Sequence, residues 1–199
     1  MILYDSRHSG NGWKVRLLLA ELGLEFERRV LDLGRGDAKT EEFLALNAWG
    51  RVPVLQLNDG TVLRESNAIL LRLAAHTPLL PPELEQQVLE WLFFEQADVL
   101  RFLARPRYLL SLAKTATASD TEVQYLQAIG SKALAHIERH LEAVDYFVGD
   151  FSVVDIALFP YICMADLAGY PMQQYPRIAE WLTRIQGRTN FVPLIENPA

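Results

Sequence analysis

The sequence predicts an α+β protein built in two parts. Over the first 77 residues, short apolar runs with strand spacing alternate with stretches whose apolar residues recur at helical spacing. Three prolines between residues 78 and 82 follow with no strand pattern around them, which is typical of a linker. Beyond them the apolar spacing is helical throughout. We therefore expect a mixed domain over residues 1–77 and an all-helical domain over residues 83–199.

The amino-terminal part begins with a β-α-β unit. Residues 2–4 predict a short strand, and a polar, glycine-containing loop follows over residues 5–12. One face of a helix is then marked by apolar residues at i, i+3, i+4 and i+7, namely Val15, Leu18, Leu19 and Leu22. Gly23 ends that helix. A second strand follows, with Arg28 interrupting an apolar side made of Leu24, Phe26 and Val30.

Two more helices and two more strands complete this part. Helices are predicted over residues 39–46 and 65–76. Between them, strands at residues 54–57 and 61–63 are joined by Asn58-Asp59-Gly60, which favours a tight hairpin. The order β-α-β-α-β-β-α predicts a thioredoxin-like sandwich, with parallel pairing across the first crossover and an antiparallel edge from the hairpin.

The second part is predicted to be a helical bundle. Apolar residues at helical spacing mark helices around residues 88–95, 126–141 and 178–185. Pro106 removes a backbone hydrogen bond and crowds the preceding turn, so it is expected to bend or end the first long helix. Ser152 stands three residues before Asp155 at the start of an apolar run, a spacing that predicts a capping box.

Composition excludes several classes of function. Half of the 199 residues are apolar, enough for a packed core. The net charge of −6 argues against a general nucleic-acid binder, which displays a basic face. The sequence has neither an apolar run long enough to span a bilayer nor a secretion signal at its start, so we expect a cytoplasmic protein. Cys163 is the only cysteine and is expected to be a buried hydrophobe, so thiol chemistry would need a ligand thiol.

Two segments together suggest a site for a small peptide. The Val52-Pro53 bond is a candidate cis peptide, which would turn the backbone N–H and C=O of Val52 outward to pair with an extended ligand. Glu65 and Ser66 open the next helix, where free backbone N–H groups and the helix dipole attract a carboxylate. An ordinary hairpin followed by a capped helix is the alternative interpretation.

Taken together, these segments resemble the glutathione site of the cytosolic glutathione transferases. In that family a valine followed by cis-proline holds the cysteinyl backbone, and an acidic residue plus serine holds the γ-glutamyl end. The resemblance extends to the second part, because the family carries a very similar Ser-x-x-Asp box in its helical domain. It implies bound glutathione as co-substrate, no metal, and a homodimer with a contact over residues 90–101.

The loop before the first helix supplies the residues expected to contact the glutathione sulfur. Ser9 and Asn11 match the sulfur-contacting positions of the family, and Ser-Gly-Asn-Gly looks most like the nu-class-like or beta-like bacterial transferases. These use Ser or Thr with a nearby Asn in place of a tyrosine. Tyr4 lies within the predicted strand and is expected to belong to the core. The alternative is that Ser9 and Asn11 only cap the helix.

The resemblance implies further contacts. Lys39, and Arg51 from the other side, are expected to hold the glycyl carboxylate, while Ala38 stands where the family often has histidine. A second substrate is expected between the domains, with three residues as its walls, Trp13, Arg105 and Tyr108. His136 and His140 are four positions apart but are expected to be a solvated pair rather than a metal site.

The expected activity is that of a glutathione transferase, which ionises bound glutathione for attack on an electrophilic small molecule. Two alternatives share the same fold. One is a glutathione-dependent disulfide-bond reductase, and the other is a noncatalytic module used for protein interaction. The sequence does not identify the second substrate.

Overall fold

The amino-terminal unit is organised around a four-stranded sheet. In the computed structural model, which describes residues 1–195, the strands are β1 (Ile2–Asp5), β2 (Glu27–Val30), β3 (Val54–Gln56) and β4 (Val62–Arg64). Their order in the sheet is β2-β1-β3-β4. β1 and β2 are parallel, whereas β3 is antiparallel to both β1 and β4. The predicted thioredoxin-like order and its mixed pairing are confirmed.

Helices cover both faces of this sheet. They are α1 (Gly10–Glu21), α2 (Glu41–Leu46) and α3 (Ser66–Ala74). Leu3 and Leu55 of the strands pack with apolar residues of α1 and α3. Tyr4 and Val54 point to the opposite face and pack with Phe43 of α2. Because successive strand side chains alternate between faces, two adjacent positions on each of β1 and β3 supply both cores, and Tyr4 is a core residue as expected.

α1 is buried around its whole circumference rather than on one face. Every residue from Gly12 to Leu19 is buried, and these include Lys14 and Arg16. The apolar face predicted from the sequence is therefore too narrow. Charged side chains inside a buried helix need partners, since an uncompensated buried charge is very costly.

β2 is an edge strand, and its inward side differs from the prediction. The strand begins at Glu27, so Leu24 lies outside it, and Val30 is 53% exposed. Arg28 is the residue that connects this strand to the interior, because its guanidinium binds the buried carboxylate of Asp5, with Nη2 at 2.8 Å. Of the predicted apolar row, Phe26 packs against the core just before the strand, whereas within the strand an ion pair takes the place of an apolar contact.

The helices on either side of the hairpin begin slightly later than predicted. α2 starts at Glu41 because Thr40 is an extended N-cap, whose hydroxyl accepts a hydrogen bond from the N–H of Phe43 at 3.3 Å. α3 starts at Ser66 because Glu65 has a φ of 64°, outside the helical region.

The unit from His76 to Arg188 is helical. Its α-helices are α4 (Glu85–Phe94), α5 (Arg101–Arg107), α6 (Thr121–His140), α7 (Val153–Cys163) and α8 (Pro176–Gln186). α7 is buried along its length from Val153 to Ile162, and α6 packs against α5 and α8. Across residues 1–195, none of the helices combines the length and the apolar character that a membrane crossing requires.

Pro106 does not end the first long helix, which excludes one of the two outcomes predicted for it. π-helical turns at Glu95–Leu100 and Tyr108–Leu112 flank α5, and the chain remains helical through all three segments. Proline has no N–H to give to the carbonyl four residues earlier, that of Phe102. The hydroxyl of Tyr170 donates to this carbonyl at 2.8 Å. The helix continues because another donor reaches the carbonyl that proline leaves without its helical partner.

Gly130 on α6 leaves room for that hydroxyl. A Cβ at this position would overlap the oxygen and ring of Tyr170. The same hydroxyl also lies 3.2 Å from the carbonyl of Leu126 on α6. The proline, the tyrosine and the glycine therefore form one structural arrangement.

α7 begins with the predicted capping box. The hydroxyl of Ser152 accepts from the N–H of Val154 at 3.2 Å, and the carboxylate of Asp155 accepts from the N–H of Ser152 at 3.0 Å. Asp155 is fully buried and also accepts from the indole N–H of Trp181 at 2.9 Å and from the N–H of Phe147 at 3.3 Å. One carboxylate thus joins the start of α7 to α8 and to the preceding loop.

Asp155 is expected to make the stability of the protein depend on pH. Burial raises the pKa of its carboxyl from 3.8 to about 6, although hydrogen bonds from Trp181, Ser152 and Phe147 oppose the rise. The folded state therefore holds this proton more tightly, so the stabilisation is complete below about pH 4 and is lost as the pH rises through 6. The free energy of unfolding in urea is measured for the natural protein and for Asp155→Asn. The value for the natural protein, taken relative to that of the variant, should fall by up to about 3 kcal/mol between pH 4 and pH 7. A difference independent of pH would contradict this.

The Tyr170 hydroxyl is expected to stabilise the helix around Pro106. Tyr170→Phe removes the donor to the Phe102 carbonyl and should lower the free energy of unfolding by about 1–3 kcal/mol, measured in urea. Tyr125→Phe on α6 is the matched control, because that ring is 62% exposed and its change should stay within about 0.5 kcal/mol. Equal effects of the two substitutions would show that the hydroxyl has no such role.

Candidate functional site

The segments that carry the predicted site residues meet at one edge of the sheet. β1 pairs with β3 so that Tyr4 lies opposite Val54, and β3 pairs with β4 so that Val54 lies opposite Arg64. The end of β1, the start of β3 and the end of β4 therefore lie side by side. The loop leading to α1, the segment entering β3 and the first residues of α3 are adjacent as a result.

Ser9 is the N-cap of α1, as the alternative interpretation expects. Its Oγ accepts a hydrogen bond from the N–H of Gly12 at 3.0 Å. This bond uses an oxygen lone pair, so the hydroxyl proton of Ser9 can still be donated to another group. The first turn of α1 carries no acidic side chain, so its partial positive charge is not cancelled there. Capping the helix and donating to an anion are therefore compatible.

Asn11 and Ser66 are in contact. The Oγ of Ser66 lies 3.3 Å from the Oδ1 of Asn11 and donates to it, which leaves the Asn11 side-chain NH₂ as a donor. Ser66 is buried at the start of α3, and Asn11 is half-buried in the first turn of α1. Beside this pair, the Nζ of the buried Lys14 lies 3.4 Å from the Oδ1 of Asn67. The loop expected to face the sulfur thus adjoins the helix start expected to face the γ-glutamyl carboxylate.

The Val52-Pro53 peptide bond is cis, as the sequence suggested. Pro53 is buried and Val52 is half-buried. Across the hairpin, Glu65 is exposed and has a φ of 64°, a conformation that residues other than glycine rarely adopt. Such outliers cluster at functional sites, where the surrounding structure maintains them.

Arg51 lies in the loop before Val52, and Lys39 contacts the same loop. The Nζ of Lys39 donates to the carbonyl of Gly50 at 3.3 Å. The carbonyl of Arg51 accepts from the side-chain amide of Asn47 at 2.8 Å, and Asn47 is buried. Both basic residues are exposed, and Asn47 holds the loop of Arg51 in place through the Arg51 carbonyl.

The three residues predicted to contact a second substrate belong to two different units. Trp13 is buried in the amino-terminal unit, and its indole N–H donates to the carbonyl of Val192 at 2.7 Å. Arg105 and Tyr108 lie together on the surface of the helical unit, with the guanidinium 5.9 Å from the ring centre. Arg105 also pairs with Glu122 at 2.9 Å. Their role in a second-substrate pocket stays a prediction.

Asp5, at the end of β1, was not identified from the sequence. Its carboxylate is fully buried and accepts from Arg16 Nε at 3.1 Å, from Arg28 Nη2 at 2.8 Å and from the N–H of Ser6 at 2.7 Å. Burial raises the pKa of Asp5, whereas the two guanidinium groups and the Ser6 N–H oppose that rise. Two features of the sequence could have indicated this cluster. One is Arg28, which interrupts an apolar row, and the other is Arg16, a charged residue within the apolar run of α1.

The two histidines lie beside aromatic rings. The ring of His140 lies 4.7 Å from that of Trp91 and stacks on Phe147 at 5.4 Å, and its Nε2 is 3.2 Å from the Phe147 carbonyl. Burial lowers the pKa of His140. His136 is exposed, as expected for a solvated histidine, whereas His140 is not. Among residues 1–195, no three His, Cys, Asp or Glu side chains are grouped as metal ligands would be.

Gly12 is expected to tolerate no side chain. A Cβ here would overlap the carboxylate of Asp5, which the arginines hold in place. Gly12→Ala should lower the free energy of unfolding by about 1–3 kcal/mol, measured in urea. Gly187→Ala is the control, because Gly187 is exposed and a Cβ there approaches no atom more closely than the Thr183 carbonyl oxygen at 3.4 Å, an ordinary contact. A stability equal to that of the control would contradict the tight packing at Gly12.

Comparison with known proteins agrees with this geometry. The family model of the glutathione S-transferase N-terminal domain matches residues 8–76, and that of the C-terminal domain matches residues 120–184. Glutathione S-transferase 1 of Dianthus caryophyllus is 32% identical over 181 residues, which cover 86% of this chain and 80% of that protein.

Solved structures match over almost the whole chain. A glutathione S-transferase from Pseudomonas fluorescens is 40% identical, with a TM-score of 0.94 and 98% of each chain covered. A glutathione transferase from Pseudomonas putida, solved with one glutathione disulfide bound per subunit, is 25% identical, with a TM-score of 0.84 and coverage of 95% of this chain and 87% of that one. With both domain models matched and relatives of this identity across its length, the chain belongs to the glutathione S-transferase family.

Proposed function

We propose that this protein binds glutathione at the described sheet edge and ionises its thiol for attack on an electrophilic small molecule. The hydrogen bond between Asn11 and Ser66 carries the proposal. It links the loop proposed for the sulfur to the helix start proposed for the γ-glutamyl end. A ligand with a thiol and a nearby carboxylate meets both in one place.

The binding contacts follow from the same edge. The backbone of Val52, before the cis bond to Pro53, is proposed to pair with the cysteinyl backbone of glutathione as an added strand does. Glu65 and Ser66, at the positive end of α3, bind the γ-glutamyl amine and carboxylate.

The glycyl carboxylate is proposed to bind two exposed cations. Arg51 provides one from the loop that Asn47 holds in place, and Lys39, whose Nζ donates to the Gly50 carbonyl of that loop, provides the other. Because both cations are exposed, each is expected to contribute modestly.

Thiolate formation is the proposed task of Ser9 and Asn11. A thiol with a pKa of about 8.5 is only a few per cent ionised at pH 7, and each unit of depression requires about 1.4 kcal/mol of preferential binding to the anion. The Ser9 hydroxyl, the Asn11 amide and the N-terminus of α1 each favour the anion. Ser9 acts as a donor to the thiolate, not as a base.

The chemical step then balances simply. The thiol releases its proton to solvent, the thiolate sulfur forms a bond to an electrophilic carbon, and a leaving group departs with its electron pair. Cys163 is not a competing nucleophile, because burial raises the pKa of its thiol to about 11.

Disulfide reduction is a second candidate, favoured by the Pseudomonas putida relative solved with glutathione disulfide bound. Here the thiolate attacks a disulfide sulfur and releases a thiolate, and a second glutathione releases the other thiol and forms glutathione disulfide. A chlorinated aromatic substrate tests conjugation, and a hydroxyethyl mixed disulfide tests reduction. Inactivity in both, with glutathione still bound, would indicate a noncatalytic module.

The remaining expectations are proposals of the same kind. A homodimer is proposed to form over residues 90–101, where Phe93 is 72% exposed. Trp13, Arg105 and Tyr108 are proposed to contact the second substrate, and the location is proposed to be cytoplasmic.

Ser9→Ala tests the ionisation. Removing one hydrogen bond to an anion should raise the pKa of the bound thiol by about one to two units, measured from the ultraviolet thiolate band. Ser9→Thr retains a hydroxyl that both caps and donates, so it should behave like the natural protein. Unchanged ionisation in Ser9→Ala would remove Ser9 from the mechanism and assign the effect to Asn11 or to the helix terminus.

A further inference from the structure

Residues 191–194 bind to the first helix through three consecutive backbone carbonyls, those of Val192, Pro193 and Leu194. The indole N–H of Trp13 donates to the first at 2.7 Å. The guanidinium of Arg16 donates to the second at 2.9 Å and to the third at 2.7 Å. The ring of Phe191 also packs edge-on against that of Trp13, with 6.2 Å between centroids.

Both donors lie inside the amino-terminal unit. Trp13 is 4% exposed and Arg16 is 1% exposed. They are three positions apart on α1, so they are neighbours on one face of the helix. A buried guanidinium needs acceptors for its N–H groups, and its hydrogen bonds to those acceptors are strong because the donor is charged. The segment therefore satisfies a requirement of α1 that the helix does not meet by itself.

Arg16 extends this connection to the end of β1. Its Nε donates to the carboxylate of Asp5 at 3.1 Å. The same carboxylate accepts at 2.7 Å from Ser6, the first N–H of the loop that carries Ser9. It also lies against Gly12, whose N–H bonds to the hydroxyl of Ser9. Contacts thus run without a break from the bound segment to both ends of the Ser9 loop.

We propose that residues 191–194 are a positioning element of the glutathione site, with Arg16 and Asp5 as its positioning residues. They hold the first turn of α1 where Ser9 and Asn11 can direct their protons at one sulfur. The inference rests on the proposed function, because it concerns the ionisation of bound glutathione.

The effect is expected on ionisation rather than on binding. Stabilising a thiolate depends on donor geometry, and a displacement of about 1 Å can cost roughly 100-fold in rate. Of the proposed binding groups, Val52 lies just before β3, Glu65 lies between β4 and α3, and Ser66 begins α3. The segment does not reach these residues through its own hydrogen bonds, which go to Trp13 and Arg16. Loss of the segment should therefore change the pKa of the bound thiol more than the affinity for glutathione.

The test compares the full-length protein with two shortened forms, one ending at Asn190 and one ending at Ile195. The first lacks the three carbonyls and the second keeps them. The form ending at Asn190 should show an apparent pKa of the bound thiol about one unit higher and a kcat/KM about 10- to 100-fold lower. Its calorimetric Kd for glutathione should change by less than about threefold. The form ending at Ile195 should match the full-length protein.

An unchanged thiol pKa in the form ending at Asn190 would overturn the proposal, as would a loss of glutathione binding as large as the loss of rate. If that form does not fold, Trp13→Phe replaces it, since phenylalanine keeps a ring but not the N–H. In Trp13→Phe, a rise of the thiol pKa smaller than the roughly one unit expected for the form ending at Asn190 supports the proposal. An unchanged thiol pKa in this variant overturns it.

The full-length protein separates the two proposals. If it shows no thiolate band with glutathione, the proposed function fails. If it shows a band and that band titrates with the same pKa in both shortened forms, only the positioning role of residues 191–194 fails.

Discussion

A carboxylate buried at the end of a strand must be neutralised where it lies, and this requirement organises the amino-terminal unit. Asp5 meets it with Arg16 from the first helix and Arg28 from the edge strand. Each guanidinium brings its own element to the same point of the sheet. The carboxylate also binds the N–H of Ser6, so the loop beside the proposed site begins from a fixed position. Replacing such a pair by apolar groups is often neutral for stability, so we attribute its value here to positioning.

At the start of α1, the same groups can serve two purposes. Helix capping and anion binding both rely on the unsatisfied N–H groups of a first turn, so residues suited to one are suited to the other. The Ser9 oxygen accepts from Gly12, and the Asn11 oxygen accepts from Ser66. Each acceptor role leaves the hydroxyl or amide protons available for donation to another group. The alternative that these residues only cap the helix therefore does not exclude the proposed chemistry.

Two places in the helical unit illustrate the rule that buried polar groups find partners. Pro106 removes the usual donor to the Phe102 carbonyl, and the hydroxyl of Tyr170 takes its place beside Gly130. A proline can therefore stand inside a long helix without ending it. The carboxylate of Asp155 shows the same rule at a helix start, where it accepts from several donors at once.

The sequence by itself determined the order of helices and strands, the hairpin and the capping box, because these depend on residues within a few positions of each other. It also indicated Ser9 and Asn11, through short motifs that match a family. Only the tertiary structure decided which buried polar groups meet: that Arg28 reaches Asp5, and that residues 191–194 return to α1. Local spacing carries no information on such partners, since packing brings together groups more than 170 positions apart in the chain.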